Sequence, residues 1–330
     1  MKLREQIEAW HDLALKALEL EIQDFKEVKP NLVAFIGLGG SGIVGDFVKA
    51  LCYDVLDLPV YIVKEARLPK WVKEGSLVFA ISYSGDTIET LIAVEDAVRR
   101  GSVVYVITSN GELLDYAENR KLPRVKLDEG YAPRAALPLM LYSCLNILKA
   151  LGLVNLDVER SLEVLKDVKD NKAVAEKLAQ GLLHNSIPAI IADARFEALA
   201  WRFKSDLNEN AKISAKCEIV PESMHNDIMG YEGNRKPTLA VVLNANDQHL
   251  YTKILEEFVE EHLRELKVLV EELRLKGRDM LAKLMYGSQI SSLASIALAE
   301  KQGISPEATV SIAKYKERLR KLASVWIRLS

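Results

Sequence analysis

The most glycine-rich segment of the chain has a residue spacing that suits phosphate binding. Gly37-Leu38-Gly39-Gly40-Ser41-Gly42 follows a short apolar run and precedes a helix-like stretch. Amides exposed at such a turn and the positive end of the helix dipole attract anions. The GxGxxG pattern also fits a dinucleotide site, with Glu65 placed where a ribose-binding acid would lie. The pattern alone leaves open a dinucleotide, another phosphorylated ligand and a purely structural tight turn.

The serine-rich loop at residues 82–90 (SYSGDTIET) favours a phosphate ligand. It follows the third predicted strand and opens a helix. Asp86 and Glu89 fit a helix N-cap and its capping-box partner. That structural explanation does not account for the three hydroxyls of the loop, which belong to Ser82, Ser84 and Thr87. We therefore predict that the two loops hold a phosphate dianion through amides and hydroxyls, without a cationic side chain.

Three single residues outside these loops could move or stabilise charge. Glu209, just beyond a predicted helix, offers a carboxylate base, although a solvated acid at a helix end would have the same sequence. His225 is the only one of five histidines in a polar loop, and imidazole exchanges protons near neutral pH. We expect structural or surface roles for the others, including His184 before a strand. Arg134 lies among apolar and rigid residues, which favours an anionic partner, either a ligand or an internal acid.

The elements that position these residues form two successive α/β series. Short apolar runs predict strands, and their alternation with helical stretches predicts parallel sheets covered on both faces. The predicted strands are 31–37, 60–63, 77–81, 103–107, 187–192, 218–220, 238–243 and 268–271. The predicted helices are 3–25, 43–51, 87–100, 138–150, 151–180, 196–207, 251–266, 280–301 and 309–329. We place the domain boundary after residue 152, which gives domains 1–152 and 153–330.

Composition and charge exclude several classes of protein. The chain has 330 residues, and its 44 Lys and Arg nearly balance 47 Asp and Glu, for a net charge of −3. That balance argues against a nucleic-acid partner. The three separated cysteines offer neither a disulfide framework nor a CxxC zinc site and suit a reduced, cytoplasmic setting. Charges interrupt the apolar stretches, so we expect neither a signal peptide nor a membrane anchor.

Five motifs together resemble one protein family. GLGGSG, SYSGDTIET, YAPRAALP, NENAKI and ESMHND occur in that order and span most of the chain. They resemble the archaeal bifunctional phosphoglucose/phosphomannose isomerases of the sugar isomerase (SIS) domain superfamily. The resemblance implies two SIS domains, each a parallel sheet flanked by helices, and a homodimer. It also implies that glucose 6-phosphate and mannose 6-phosphate are interconverted with fructose 6-phosphate through a cis-enediolate.

The resemblance assigns a role to each candidate residue. Glu209 would be the base that moves the proton, and Arg134 would bind the substrate and stabilise the enediolate. His225 would open the sugar ring, reaching the site from the neighbouring subunit. Lys316 would assist ring opening, although Lys314 lies nearby, and Thr309 would contact the sugar near C2 and allow both epimers. The phosphate would bind at Gly40, Ser41, Ser82, Ser84 and Thr87.

Several alternatives stay open at this stage. Asp86 stands where many relatives carry asparagine, and a carboxylate beside a phosphate is repulsive unless it caps the helix. No HxH or HExxH pattern occurs, so we expect no metal and no other cofactor. The competing functions are another SIS sugar-phosphate isomerase, acting on amino sugars or arabinose phosphate, a non-catalytic phosphosugar-binding module, and an NAD-dependent oxidoreductase.

Overall fold

The chain divides into two units by its internal contacts. The computed structural model describes residues 1–183, 187–247 and 249–326, so His184 lies outside the described residues. Unit 1 comprises Met1, Asp12–Leu156 and Ala308–Ser330, and unit 2 comprises Lys2–His11 and Asp157–Glu307. The boundary after residue 152 stays a prediction. The division by contacts also assigns Lys2–His11 to unit 2 and Ala308–Ser330 to unit 1, which a single boundary does not do.

Parallel strands and helices alternate along most of the chain. The strands are β1 Leu32–Ile36, β2 Val60–Val63, β3 Ser76–Ile81, β4 Val103–Thr108, β5 Arg124–Lys126, β6 Ala189–Asp193, β7 Lys216–Val220, β8 Leu239–Asn244 and β9 Leu269–Arg274. The α-helices are α1 Leu3–Glu8, α2 Trp10–Glu19, α3 Gly39–Cys52, α4 Ile88–Arg99, α5 Gly111–Asn119, α6 Leu137–Ala150, α7 Glu163–Lys166, α8 Val168–Leu182, α9 Glu197–Asp206, α10 Leu250–Glu265, α11 Met280–Lys301 and α12 Val310–Trp326.

Unit 1 contains a five-stranded sheet in the order β2-β1-β3-β4-β5, and every pair is parallel. All residues of β1 and β3 are buried, which agrees with their apolar sequences, in which Ser76 at the start of β3 is the one polar residue. The chain leaves β1 toward β2 on one side and reaches β3 on the other. This reversal of strand order lies between β1 and β3, and ligands of open α/β sheets bind beyond the carboxyl ends of such strands.

Unit 2 contains a four-stranded sheet in the order β7-β6-β8-β9, which is also parallel throughout. The predicted parallel sheets are therefore confirmed in both units. The helix α11 is buried along almost its whole length, from Leu281 to Ala299. Because it also carries several polar residues, those residues need hydrogen-bond partners within the protein.

The predicted elements differ from the structure in three places. The predicted helix 3–25 is wrong as one element, because α1 and α2 are separate and Gln23 instead forms an antiparallel bridge with Arg124. The helix α5 and the strand β5 were not predicted, because both are short and carry few apolar residues. The charged stretch 151–180 was predicted as one helix, but it contains a 3-10 turn followed by the two helices α7 and α8. None of the described helices combines the length and apolar content that a bilayer span requires.

Candidate functional site

The two predicted phosphate loops lie side by side in unit 1. The glycine-rich loop follows β1, the serine-rich loop follows β3, and these strands are neighbours in the sheet. The hydroxyl of Ser41 accepts a hydrogen bond from the amide of Tyr83 (3.0 Å), which ties the loops together. Both loops also lead into helix N-termini, at α3 and α4. The arrangement directs amides and the positive ends of two helix dipoles toward the carboxyl edge of the sheet.

The hydroxyls of the serine-rich loop are partly engaged with one another. The Ser82 hydroxyl donates to the Thr87 hydroxyl (3.2 Å) and is buried, whereas Ser84 and Thr87 are half-buried. A hydroxyl can still accept a hydrogen bond through its oxygen while it donates through its hydrogen. Gly40, Ser41, Ser82, Ser84 and Thr87 thus lie on two neighbouring loops, and their binding of a phosphate stays a prediction.

Arg134 belongs to the same constellation because its backbone packs against Gly40. A Cβ atom added to Gly40 would lie 2.9 Å from the Arg134 amide nitrogen and 3.0 Å from its Cα. Arg134 itself is only 6% exposed. Tyr83 strengthens the link, since its hydroxyl donates to the Asp128 carbonyl (2.7 Å) and accepts from the Tyr131 amide (3.0 Å). The backbone of a buried arginine therefore adjoins the glycine-rich loop.

Replacing Gly40 with alanine tests this close approach. The added methyl group would push against the Arg134 backbone, and we expect a loss of stability of about 1–3 kcal/mol. The shift of Arg134 and of the loop should also raise the KM for a phosphorylated substrate. Thermal unfolding and steady-state kinetics measure the two effects. Gly233→Ala is the control, because its added Cβ would meet nothing closer than 3.8 Å. Equal behaviour of the two variants would contradict the packing argument.

The predicted capping role of Asp86 and Glu89 is wrong. The N-cap of α4 is Thr87, and no side-chain cap hydrogen bond forms at this end. The Asp86 carboxylate accepts from the Glu112 amide (3.2 Å), at the start of α5, and so faces the positive end of a different helix. The Glu89 carboxylate accepts a hydrogen bond from the hydroxyl of Tyr315. Sequence spacing finds caps within one helix, whereas these contacts join residues far apart in the chain.

The last helix, α12, lies against the phosphate-loop region through that Tyr315 contact. The Glu89 hydrogen bond raises the pKa of Tyr315. Thr309 is half-buried directly before the helix, and its carbonyl accepts from the Ala313 amide (2.9 Å). Lys314 and Lys316 are both exposed. Exposure therefore does not distinguish the two lysines, and the assignment of Lys316 stays a prediction.

Glu209 lies in a π-helical turn, Leu207–Ala211, which continues α9. Such turns are rare and are frequently found at functional sites. The turn ends at Lys212, whose backbone is left-handed (φ 57°). The Lys212 ammonium donates to the carbonyls of Glu209 (2.8 Å), Asn210 (3.2 Å) and Ser305 (3.0 Å), which satisfies carbonyls at the helix end. Glu209 is half-buried and thus not the fully solvated acid of the structural alternative.

His225 is exposed at the end of a 3-10 helix, Glu222–His225, that follows β7. The loop is braced by the Asn226 amide, which donates to the Glu222 carboxylate (2.8 Å). Beneath it, Glu218 is buried and accepts from the Tyr231 hydroxyl (3.0 Å), while Lys216 lies 2.9 Å from its carboxylate. Burial raises the pKa of Glu218, and the Lys216 ammonium opposes that rise.

Comparison with known proteins places these features in a family. A model of the SIS domain matches residues 28–127, and a model described as the bacterial phospho-glucose isomerase C-terminal SIS domain matches residues 171–319. The bifunctional phosphoglucose/phosphomannose isomerase of Aquifex aeolicus (strain VF5) is 32% identical over 295 residues, which cover 88% of this chain and 91% of that protein. The chain belongs to the bifunctional phosphoglucose/phosphomannose isomerase family.

Two further proteins are similar to this chain, one in sequence and one in fold. The D-glucosamine-6-phosphate 4-epimerase of Sulfolobus acidocaldarius is 28% identical over 322 residues, 96% of this chain and 97% of that protein. The crystal structure of tagatose-6-phosphate ketose/aldose isomerase from Escherichia coli superposes with a TM-score of 0.68 at 16% identity, covering 90% of this chain and 87% of that one. The predicted architecture of two SIS domains with parallel sheets flanked by helices is confirmed.

The sequence did not predict the contacts that hold the candidate residues in place. Tyr83 lies inside the serine-rich motif, but an apolar residue between two serines gives no sign that its hydroxyl reaches residues 128–131. Asn210 and Ser295 are a second example, since their side chains meet (2.9 Å) although they are distant in sequence. The many serines of the largely apolar helix α11 were the sequence signal that could have indicated these buried hydrogen bonds.

Proposed function

We propose that this protein interconverts glucose 6-phosphate and mannose 6-phosphate with fructose 6-phosphate and needs no cofactor. The observation that supports this most directly is the close approach of Arg134 to Gly40. It places the backbone of a buried arginine against one of two neighbouring loops suited to a phosphate. An aldose-ketose isomerase must stabilise a negatively charged enediolate near a bound phosphate. The names of the relatives support the same reaction class.

The phosphate binds to the loops through amides and hydroxyls. Residues 37–42 and 82–90 contain no lysine or arginine, and the whole chain has a net charge of −3. Two helix N-termini and the hydroxyls of Ser82, Ser84 and Thr87 supply the attraction for the dianion. Arg134 is thereby left for the enediolate oxygens, which become negatively charged only during the reaction.

The reaction begins with opening of the sugar ring. His225 and Lys316 move the proton from the anomeric hydroxyl to the ring oxygen, which breaks the C1–O bond of the ring. The Glu209 carboxylate then takes the proton from C2 of the aldose, and the electron pair forms the C1–C2 double bond of the cis-enediolate. Arg134 stabilises the two oxygens while the proton of the C2 hydroxyl passes to the oxygen on C1. Glu209 then returns its proton to C1, and the C2 oxygen becomes the carbonyl of the ketose. The small side chain of Thr309 accommodates both arrangements at C2.

A coupled assay on each aldose phosphate tests the proposed function. With EDTA present, we expect fructose 6-phosphate to form from both mannose 6-phosphate and glucose 6-phosphate. Binding of these sugars without turnover would favour a non-catalytic binding module. Tight binding of NAD without binding of fructose 6-phosphate would favour an oxidoreductase. Turnover of glucosamine 6-phosphate alone would favour the activity for which the Sulfolobus acidocaldarius relative is named.

We also propose that the enzyme is a cytoplasmic homodimer in which His225 acts across the subunit interface. The exposure of His225 in the single chain supports this role, and the free cysteines Cys52, Cys144 and Cys217 suit a reducing compartment. The reaction would connect hexose phosphates with glycolysis and gluconeogenesis.

Mixing two inactive variants tests the role of His225 across the interface. Glu209→Gln keeps His225, and His225→Ala keeps Glu209, so a hybrid dimer would contain one intact site. We expect subunit exchange in an equimolar mixture to restore about a quarter of the wild-type activity, as a two-fold symmetric dimer requires. The control is each variant taken alone through the same subunit-exchange procedure, which should give no activity. No recovery in a mixture shown to contain hybrid dimers would mean that both residues act within one chain.

A further inference from the structure

The buried helix α11 presents a row of hydroxyl groups toward the end of α9. Ser291, Ser292 and Ser295 occupy positions i, i+1 and i+4 of the helix, and all are at most 1% exposed. A buried hydroxyl without a partner is unfavourable, so each of these groups requires a defined acceptor or donor. Each of the three hydroxyls has at least one partner on the segment that carries Glu209.

The first anchor of this segment is Asp206, three residues before Glu209. A single carboxylate oxygen of Asp206 accepts from the Arg202 guanidinium (3.0 Å) and from the hydroxyls of Ser291 and Ser292 (2.9 Å each). Arg202 also donates to the Ser292 hydroxyl (3.0 Å) and lies 5.9 Å from the centre of the Trp10 ring. Because Arg202 and Asp206 are only 3% and 2% exposed, this network is rigidly enclosed.

The second anchor is Asn210, the residue directly after Glu209. Its side-chain amide donates to the Ser295 hydroxyl (2.9 Å), which in turn donates to the Ser292 carbonyl (2.9 Å). Asn210 is 1% exposed, whereas the neighbouring Glu209 is half-buried. The π-helical turn is thus fixed to α11 on both sides of Glu209, while the Glu209 residue between the two anchors remains partly exposed.

We propose that Asn210 and Ser295, with the Arg202 and Asp206 pair, are positioning residues that aim the Glu209 carboxylate for proton transfer. This inference rests on the proposed function of Glu209 as the base. Proton transfer between carbon and oxygen requires close alignment, and a displacement of about 1 Å costs on the order of 100-fold in rate. The backbone hydrogen bonds of the turn set its local shape, and the side-chain contacts of Asp206 and Asn210 fix its place against the buried helix α11.

Ser295→Ala tests the proposal because it removes one hydroxyl from a buried site without adding volume. Ser288→Ala is the matched control, since Ser288 is also a fully buried serine of α11, but its hydroxyl donates to the Leu284 carbonyl within the same helix (2.7 Å). Asn210→Ala removes the other partner of the Ser295 contact. Steady-state kinetics on glucose 6-phosphate, the isotope effect with C2-deuterated substrate and thermal unfolding are measured for each variant.

We expect Ser295→Ala and Asn210→Ala to lower kcat on the order of 10- to 100-fold while KM changes less than about threefold. The primary isotope effect should rise, because proton abstraction becomes more fully rate-limiting. Ser288→Ala should lose comparable thermal stability and keep its kcat and isotope effect. If Ser295→Ala does not fold, Ser295→Cys replaces it, with the same expected result, because a thiol preserves the volume and accepts hydrogen bonds only weakly.

Two results would overturn the proposal. The first is an unchanged kcat and isotope effect in folded Ser295 and Asn210 variants. The second is an equal loss of kcat in Ser288→Ala, which would assign the effect to general destabilisation of α11. A wild-type protein without isomerase activity would instead refute the proposed function, and the positioning role would fall with it.

Discussion

Replacing Glu209 with glutamine should lower kcat on the order of 10²- to 10⁴-fold, the contribution typical of a general base. The amide has nearly the same shape as the carboxylate but cannot accept the proton from C2. Substrate affinity should change little, because Glu209 is not one of the residues proposed to bind the phosphate. The measurements are the rate of isomerisation and the exchange of substrate protons with solvent, at C2 of saturating glucose 6-phosphate and at C1 of saturating fructose 6-phosphate.

Glu222→Gln is the control for this substitution. Glu222 is an exposed acid whose carboxylate accepts from the Asn226 amide, and it has no assigned part in proton transfer. Its variant should retain isomerase activity. Exchange of the C2 proton at the wild-type rate in Glu209→Gln would remove Glu209 from its proposed role, whereas a loss of ligand binding would show that the substitution disturbs more than the base.

Replacing Arg134 has the second large effect that we expect. Arg134→Met keeps an unbranched side chain but removes the charge, and kcat should fall on the order of 10²- to 10³-fold, as when a group that stabilises an oxyanion is lost. Arg134→Lys restores the charge without the planar pair of donors and should recover part of the loss. Steady-state kinetics and binding of a hexitol phosphate, which resembles the open-chain sugar, separate catalysis from substrate binding.

Arg100→Met is a matched control because Arg100 is a partly buried arginine of the same unit with a structural role. Its guanidinium donates to the carbonyls of Pro69 (2.8 Å) and Val72 (3.3 Å) and pairs with Asp96 (2.5 Å). Its loss should lower stability and leave kcat largely intact. A kcat in Arg134→Met equal to that of Arg100→Met would contradict the assignment of Arg134 to the enediolate.

Local sequence patterns predicted the elements of the fold well. The strand β2 and the helix α11 have the predicted bounds, because a short apolar run flanked by polar residues and a long stretch ending near Gly303 define their own limits. The parallel arrangement followed from strands such as β1, which is apolar throughout. The elements that were missed, α5 and β5, are short, and their stability depends on neighbours in the tertiary structure rather than on their own sequence.

The candidate residues were identifiable from sequence, but the contacts that hold them were not. Periodicity and capping rules relate residues within about one helical turn, and they led to the wrong partner for Asp86. The contacts of Gly40 with Arg134 and of Asn210 with Ser295 join separate elements, and only the folded chain brings them together. Such contacts set the positions of the candidate side chains, and they depend on the tertiary structure rather than on local sequence patterns.

The central claim is that one protein isomerises both epimers by proton transfer through an enediolate. The most direct test is to incubate mannose 6-phosphate with the wild-type protein and EDTA in D2O and to follow the products by NMR. We predict that fructose 6-phosphate and then glucose 6-phosphate appear and that deuterium accumulates at C2 of the aldoses. Absence of these products, or their formation with no deuterium at C1 or C2 after equilibrium is reached, would contradict the account.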